Sequence, residues 1–545
     1  MTAERDARTG AQADIEPAAR ANEPVAPTPD ERPLPPRYWW AKRIGLASVA
    51  LLLVVAAAWV LWDRTMRLRL ERKIAELRAL GQPVLFEDFV DPDVKDEDNA
   101  ALDYERAVAA MVFSTGWPDF GELYQHPELF RSHPEACERV IAPNAKAIRL
   151  AQSAQSKTEL DWGVRATSPP ANATIPLSAA QRQLGRLLCA AVQYQHACKN
   201  DEQALAVFLS AQDLAERVGR TQGSLIAALV GNAIEQIALN TLEDITPQLQ
   251  VRGASFTVQH DARPARRETV IALIAKLQAD DAWVDNWRQA FYAERAAFLT
   301  TPGQFKSALT LAGGGTGFPR ASVSVSEHLL RPALRADAVF AAEYYHEVLV
   351  AISGRRFPDR RTSRFRYPPF TTAYERTVHL LSRMGFVAGD KVMELRFRAL
   401  AKRRMAATAL ALRLYELDHG RRPDSLDALV PGYLQAVPLD PFAEGGRPFA
   451  YRPNLQPALL YSVWLNGIDN DGRLAGTYDR STADPLWYLD GDRPRPPPRI
   501  PASQAVDNQA EEERDQRQAD EDERAGDNGH DRERQLDQPD PGGAT

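Results

Sequence analysis

The pattern of hydrophobic and polar positions divides this chain into regions of different character, and its clearest element is one unbroken apolar run. The run Ile44–Trp62 has 19 residues and contains neither a charge nor a proline. At about 1.5 Å per helical residue, it is just long enough to cross a hydrocarbon core of roughly 30 Å. Tryptophans lie before it, at Trp39 and Trp40, and at its end, at Trp59 and Trp62, where they suit the two membrane interfaces. The run therefore predicts a transmembrane helix.

The sequence around this run favours an uncleaved signal anchor over a cleaved signal peptide. The apolar part of a signal peptide spans about 7–15 residues and is followed by a small-residue cleavage site. This run is longer, ends in bulky residues and follows a polar leader at residues 1–43. We therefore expect a single membrane pass. Basic residues flank the run on both sides, and their balance leans weakly towards a cytoplasmic position for the large domain that follows.

Apolar residues recur at helical spacing directly after the run. Met66, Leu70, Ile74 and Leu77 are separated by arginine and glutamate residues, so we expect the membrane helix to continue as an amphipathic stalk. The stalk is interpreted either as a short dimerising coil or as a helix that docks on its own domain. The stripe is shorter than three heptads, which favours docking.

Three amphipathic segments within residues 178–245 predict three consecutive helices, with Asn200 or Asp201 as the N-cap of the second. The second helix matches one half of a tetratricopeptide repeat at Ala204, Phe208 and Ala211. The helix before it lacks the other half of that motif. This region is therefore predicted to form helical hairpins with repeat-like packing.

Two more long helices are predicted further along the chain. The first covers residues 268–298, and its aromatic stripe of Trp283, Trp287 and Phe291 is interpreted as core packing in preference to a binding wall. The second opens at Pro332 and ends near Ile352. Between them, the glycine-rich residues 312–319 lack the Lys-Ser or Lys-Thr of a P-loop, and so predict a linker or lid.

Composition changes the picture at the two ends of the chain. The 545 residues carry a net charge of −7, and residues 491–545 account for all of it with 15 acidic and 8 basic residues. The rest is neutral, so no nucleic-acid partner is expected. Residues 1–43 and 491–545 are predicted to be disordered. The three cysteines form no CxxC pair and indicate neither a metal ribbon nor a disulfide framework.

Candidate chemistry is sparse in this sequence. It contains no HExxH, G-x-S-x-G, Walker or dinucleotide-binding motif, and no catalytic residue or cofactor is predicted. The segment Gly354–Phe370 sets six arginines and four interleaved aromatic residues against one aspartate. It could bind nucleic acid in the cytoplasm, or an anionic lipid or glycan outside it. It could also pair with the acidic tail or bridge neighbouring helices, and the bridging role is favoured.

The segment Leu414–Gly472 resembles the C-terminal globular part of type II secretion major (G-type) pseudopilins. A helix ends there around Asp418 and Gly420, and a short helix follows. The turn Val437–Phe442 contains two prolines, and residues 449–452 and 458–463 predict an antiparallel pair of strands. The region before this segment also resembles uncharacterised bacterial single-pass membrane-anchored helical proteins.

The pseudopilin resemblance implies a calcium loop and a compartment. In that family the loop after the last strand can hold calcium, and the matching carboxylates here are Asp469, Asp471 and Asp479. Closely spaced hard oxygen ligands suit calcium, although an Asn-Asp-Gly turn with solvated carboxylates is the other interpretation. The resemblance also implies that the large domain lies outside the cytoplasm. We therefore predict a bacterial cytoplasmic (inner) membrane protein with a periplasmic domain.

Together these features predict a mainly α-helical protein. The expected order is a disordered tail (1–43), a transmembrane helix (44–62), a helical stalk and domain (63–400), a small α+β pseudopilin-like module (401–490) and a disordered acidic tail (491–545). The expected partners are the lipid bilayer and proteins of the cell envelope.

The function predicted first is that of an envelope scaffold or assembly protein, associated with secretion. The alternative is a membrane-tethered ligand-binding protein or enzyme with its site in the helical domain. A deep polar pocket with a pKa-shifted acid would favour an enzyme, whereas an open apolar groove would favour a scaffold.

Overall fold

The computed structural model describes residues 38–89, 93–114, 116–164, 178–221, 225–253, 262–300, 320–357, 372–379, 382, 389–465, 467–472, 486–491, 493–495 and 497–498. The chain separates into two units, residues 1–61 and 62–545. The fold of the described residues is mainly α-helical, as predicted, with one small antiparallel sheet.

The N-terminal apolar helix, α1 (Trp39–Ala79), has 41 residues. Its apolar window has a mean hydropathy of 2.6, and none of that window is buried. It is therefore compatible with a single-pass membrane anchor. The helix begins at Trp39, inside the segment predicted to be a disordered tail. A second helical stretch, Leu225–Gln248, also has the length and hydropathy of a span, but 61% of its window is buried in the protein.

The second unit contains the remaining helices and the strands. The helices are α2 (Ala100–Ala109), α3 (Phe120–Gln125), α4 (Leu129–Ser132), α5 (Pro134–Ile141), α6 (Ala145–Ala154), α7 (Ser178–Ala197), α8 (Asp201–Gly219), α9 (Leu225–Ile245), α10 (Arg267–Gln278), α11 (Asp280–Thr300), α12 (Arg320–Ile352), α13 (Ala373–Val378) and α14 (Gly389–His419). The strands are β1 (Ala450–Arg452), β2 (Leu459–Tyr461) and β3 (Leu486–Tyr488).

The core of this unit is built around α7, α8 and α9, each of which packs against the other two. Asn200 caps α8, because its side chain accepts the backbone N–H of Gln203. Helix α9 also contacts α11 and α14, which explains why so apolar a helix is buried here. The buried Trp287 and Phe291 of α11 belong to the same core, in agreement with the core-packing interpretation.

The second half of α1 packs on its own domain. Leu77 is fully buried with Val84, Leu299 of α11 and Ala342 of α12. At the start of this half, Arg335 of α12 donates to the Asp63 carboxylate at 2.6 Å. The amphipathic stalk therefore docks, as the shortness of its stripe favoured.

The helix predicted over residues 268–298 is in fact two helices. They are separated at Ala279, whose ψ of 87° is not helical. Two arginines of α14 donate hydrogen bonds to residues on either side of this interruption. Arg403 donates to the Lys276 carbonyl at 2.9 Å, and Arg404 donates to the Asp280 carboxylate at 2.6 Å.

Helix α12 also differs from its prediction, because it does not begin at Pro332 but runs through it. A proline in a helix interior removes one backbone donor. The turns on both sides continue the helix across this loss, so the proline marks an interior position rather than an N-terminus.

The C-terminal module forms a three-stranded sheet in the order β1-β2-β3. Strands β1 and β2 pair antiparallel, with Ala450 opposite Tyr461, as the sequence predicted. Strand β3 was not predicted and pairs antiparallel with β2, placing Trp487 opposite Leu460. Trp487 is fully buried in the main core, so the sheet packs on the helical domain. The structure supports a small α+β module without establishing a pseudopilin fold.

The first described residues of the segment predicted to be a disordered acidic tail (491–545) contact α9. Arg493 forms an ion pair with Glu243, and Arg495 forms one with Asp244. Residues 1–37 and 499–545 lie outside the described residues.

Candidate functional site

A cleft of about 940 Å³ lies in the helical domain, and we call it the polar cleft. Its walls come from segments far apart in sequence. They are Pro127–Ser132, the end of α7, the end of α9 with the residues that follow it, and Asp490–Arg495. The ordered start of the C-terminal segment therefore closes one side of the cleft.

A histidine–aspartate pair lies on the α7 wall of the polar cleft. His196 is in the last turn of α7 and Asp201 in the first turn of α8, where each charge would suit the helix dipole. The ring Nδ1 of His196 is 2.6 Å from Asp201 Oδ1. The other carboxylate oxygen accepts the backbone N–H of Gln250 at 2.7 Å. Asp201 is only 2% exposed, so it is fixed at both oxygens and holds the imidazole in one orientation.

The remaining ring nitrogen of His196 is available to the cleft. Within the described part of the chain, Nε2 has no hydrogen-bond partner, and the side chain is 17% exposed. An imidazole held at Nδ1 by a carboxylate presents Nε2 as a hydrogen-bonding group or as a proton acceptor.

Gln193 lies one turn before His196 on the same face of α7, and it is 2% exposed. Its Nε2 donates to the Tyr124 carbonyl and to Asp244 Oδ2, both at 3.2 Å. Its Oε1 is buried and has no partner among the described residues. Leaving a buried acceptor unpaired costs about 1–3 kcal/mol, so this oxygen requires a donor that a ligand or water can supply.

Asp244, at the end of α9, has an unusual electrostatic environment. Burial raises its pKa to about 7, although the adjacent guanidinium of Arg495 opposes this shift. Near neutral pH the carboxyl therefore exists in both protonation states. A raised pKa in a cleft is typical of functional carboxyl groups.

Four carboxylates line the cleft together with three cations, Arg131, Lys199 and Arg495. Glu128 pairs with His126, and Asp490 pairs with Arg422. The two buried carboxylates described above are likewise engaged. Arg131 is exposed and has no ion pair among the described residues. The cleft therefore combines hydrogen-bonding groups with a free guanidinium, which suits a polar ligand that carries an anionic group.

The calcium ligands predicted from sequence lie elsewhere, beside the sheet. Asp469 Oδ1 accepts from the Tyr461 hydroxyl at 2.8 Å and from the backbone N–H of Asp471 at 2.9 Å. Arg452 Nη2 lies 3.2 Å from Asp471 Oδ1 and 3.8 Å from Asp469 Oδ2. The structure thus brings these two residues together with a guanidinium, while Asp479 lies outside the described residues. Calcium binding here stays a prediction.

Sequence reasoning assigned a functional role to no residue of the polar cleft, and considered Asp201 only as a helix cap. The one local signal was a histidine in the last turn of one helix, followed five residues later by an aspartate in the first turn of the next. Beyond Phe357 the arginine-rich segment lies outside the described residues, as do residues 312–319.

No protein-family model, curated protein or solved structure matches this chain.

Proposed function

We propose that this chain is a membrane-anchored binding protein that holds a polar ligand in the polar cleft of its helical domain. The observation that carries the proposal is the arrangement of His196, Asp201 and Gln193 on one wall of a 940 Å³ cleft. The ring is fixed by a buried carboxylate, and the amide oxygen of Gln193 has no hydrogen-bond partner in the part of the chain that the structure describes. Pre-oriented polar groups of this kind are what ligand sites use for specificity.

The chemistry of the cleft supports ligand binding in preference to the scaffold role. A scaffold is expected to offer an open apolar groove, whereas this cleft is lined by charged and amide side chains. Gln193 Oε1 would accept a ligand hydroxyl or amine, His196 Nε2 would bond a second polar group, and Arg131 would bind an anionic group. A hydroxylated molecule that carries a phosphate or a carboxylate fits this set.

The test uses the full-length protein in detergent micelles, with ¹⁵N-labelled histidine observed by NMR. The probes are glucose 6-phosphate, citrate and glucosamine, each titrated to 10 mM. Saturable shifts of the His196 ring signals are expected with at least one anionic probe. These shifts should weaken at least tenfold in Gln193→Ala and in Arg131→Ala.

Exposed His419, at the end of α14, is the internal control and should not respond. A His196 ring that shifts with none of the probes, or only as much as His419, would overturn the proposal.

A second candidate function is hydrolysis in the same cleft, favoured by the 2.6 Å contact between His196 and Asp201. In this case Nε2 would take a proton from a water that attacks a phosphate ester, and Asp244, with its pKa of about 7, would donate a proton to the alcohol oxygen that leaves as the P–O bond breaks. Slow turnover of a bound probe that is lost in His196→Gln, with binding retained, would support catalysis. Stable binding without product would leave the protein as a binder.

The membrane placement forms part of the same proposal. Helix α1 supports an anchor in the bacterial cytoplasmic membrane. We place the domain outside the cytoplasm, where the ligand would be an envelope or imported solute. Association with secretion machinery rests only on the resemblance of residues 414–472.

A further inference from the structure

A buried arginine in the helical domain has hydrogen-bond donors that nothing satisfies. Arg396 of α14 is 1% exposed, yet its Nε and Nη1 atoms have no partner among the described residues. Its guanidinium carbon lies 4.0 Å from the ring centre of Phe397 and 5.4 Å from that of Trp283. The aromatic faces hold the charge in place but cannot accept its N–H groups along their edges.

This arginine borders a cavity of about 180 Å³, which we call the Arg396 cavity. The cavity lies where the start of α11, the end of α12 and α14 meet, and it shares no residue with the polar cleft. A single water needs roughly 10–15 Å³ on this measure, so the space exceeds that of a few waters.

An unpartnered acceptor lies in the same cavity. Asp280, the first residue of α11, accepts from Arg404 through Oδ2 at 2.6 Å, while its Oδ1 is buried and has no partner among the described residues. The cavity therefore contains both unused guanidinium donors and an unused carboxylate acceptor. Arg396 and Asp280 both line this cavity, and each has a buried polar group without a hydrogen-bond partner among the described residues, which indicates a ligand of matching polarity.

Three carboxylates and three arginines line the cavity, so its formal charges balance and a ligand without net charge fits it. Burial lowers the pKa of Arg396 to about 9, although the Asp280 carboxylate opposes this shift, and a buried guanidinium without hydrogen-bond acceptors is destabilising. A simple anion would satisfy Arg396 but leave Asp280 Oδ1 unpaired and add repulsion from that carboxylate. A simple cation would satisfy Asp280 but leave the N–H groups of Arg396 unpaired and be repelled by its guanidinium. A small zwitterion satisfies both, because a carboxylate matches the guanidinium edge and an ammonium group matches Asp280.

We propose that the Arg396 cavity binds a small zwitterion of the α-amino acid class, with its carboxylate on Arg396 and its ammonium group on Asp280. This site is separate from the polar cleft, and neither proposal depends on the other.

The experiment is isothermal titration calorimetry on the full-length protein in detergent micelles at pH 7.5. The probes are glycine and L-alanine, with acetate and methylammonium as the two half-ligands. At least one amino acid should bind with a millimolar or lower dissociation constant, and each half-ligand should bind at least tenfold more weakly. Acetate that binds as tightly as glycine, or no binding of either amino acid, would overturn the proposal.

Variants separate a binding role for Arg396 from a structural one. Arg396→Met should abolish amino-acid binding and raise the melting temperature of the free protein, because it removes a buried charge that lacks a partner. The matched control is Arg398→Met, an exposed arginine two residues along the same helix, which should bind normally.

Arg396→Lys covers the case in which the methionine variant does not fold. It keeps the charge but loses the guanidinium edge, and should weaken binding at least tenfold. Unchanged binding in Arg396→Lys or in Arg396→Met would contradict the assignment.

Discussion

At the scale of single residues, the close crossing of α8 and α9 depends on a glycine, which has no side chain, at position 231 of α9. A Cβ atom added to Gly231 would lie 2.5 Å from the Ala215 carbonyl oxygen and 2.7 Å from the backbone nitrogen of Gly219. Glycine inside a helix costs about 1 kcal/mol relative to alanine, so it persists where backbones must approach closely. The sequence showed Gly231 only as a weak point in a good helix, and the neighbouring helix supplies the reason for it.

Gly231→Ala should therefore destabilise the protein by about 1–3 kcal/mol, the usual result of overpacking, despite the better helix propensity of alanine. Urea denaturation followed by circular dichroism measures this change. Gly432→Ala is the control, since its Cβ would meet nothing within 4 Å, and it should stay within about 0.5 kcal/mol of the wild type. A Gly231→Ala variant more stable than the wild type would contradict the tight crossing.

Asp244 should make stability depend on pH in a specific direction. Its pKa is raised to about 7 by burial, so the folded state keeps a proton that the unfolded chain releases near pH 4. The stability contributed by this proton is lost as the pH rises through 7. Between pH 5 and pH 8, Asp244→Asn should gain at least about 1 kcal/mol relative to the wild type.

Urea denaturation at both pH values checks this expectation. Asp281→Asn, which changes an exposed carboxyl group, is the matched control. Parallel pH profiles for the wild type and Asp244→Asn would show that Asp244 is not held in its neutral form.

At the scale of elements, one charge cluster joins α10, α14 and the C-terminal module. Arg267 donates to both oxygens of Asp418, at 2.9 and 2.6 Å, and the Tyr433 hydroxyl donates to Asp418 at 2.7 Å. An arginine at a helix start and an aspartate at a helix end each oppose the local dipole. Their pairing removes both unfavourable effects and fixes the module against the helical domain.

A double-mutant cycle between Arg267→Met and Asp418→Asn should give a coupling energy of about 1 kcal/mol at pH 7. The hydrogen bonds from Arg267 lower the pKa of Asp418. Its contribution is therefore present above the ordinary pKa of an aspartate and is lost as the pH falls through the lowered value. The coupling should consequently vanish in acid, and a coupling that is the same at pH 7 and pH 2.5 would argue against an ion pair.

At the scale of the whole molecule, the large domain follows an apolar helix, and its three cysteines report on where that domain lies. Cys198 is exposed, whereas Cys137 and Cys189 are buried. Burial also raises the pKa of Cys137 to about 11 and that of Cys189 to about 12, which keeps both thiols unreactive. Cys198 is thus a native site for a topology experiment.

If the domain is extracytoplasmic, a membrane-impermeant maleimide should label the full-length protein in intact bacteria whose outer membrane has been permeabilised. Cys198→Ser should abolish the labelling. Labelling that appears only after the inner membrane is broken would place the domain in the cytoplasm, and would make the basic residues that follow the apolar run 44–62 the better guide to orientation.

The sequence could predict the features that depend on neighbouring residues. The N-terminal apolar helix, the succession α7–α9, the two cap candidates Asn200 and Asp201, and the β1–β2 pair all follow from periodicity and turn residues within short windows. These features can be predicted without the rest of the chain, because their hydrogen bonds form within one segment or between segments adjacent in sequence.

Only the tertiary structure decided where helical structure is interrupted and which distant residues contact one another. The interruption at Ala279 depends on arginines of α14, and the ordered start of the C-terminal segment depends on Glu243 and Asp244 of α9. The polar cleft joins four segments spread from residue 127 to residue 495. Long-range packing energies of this kind leave no periodic trace in the sequence, so the N-terminal apolar helix and several of the other helices could be derived from it, and the two candidate sites could not.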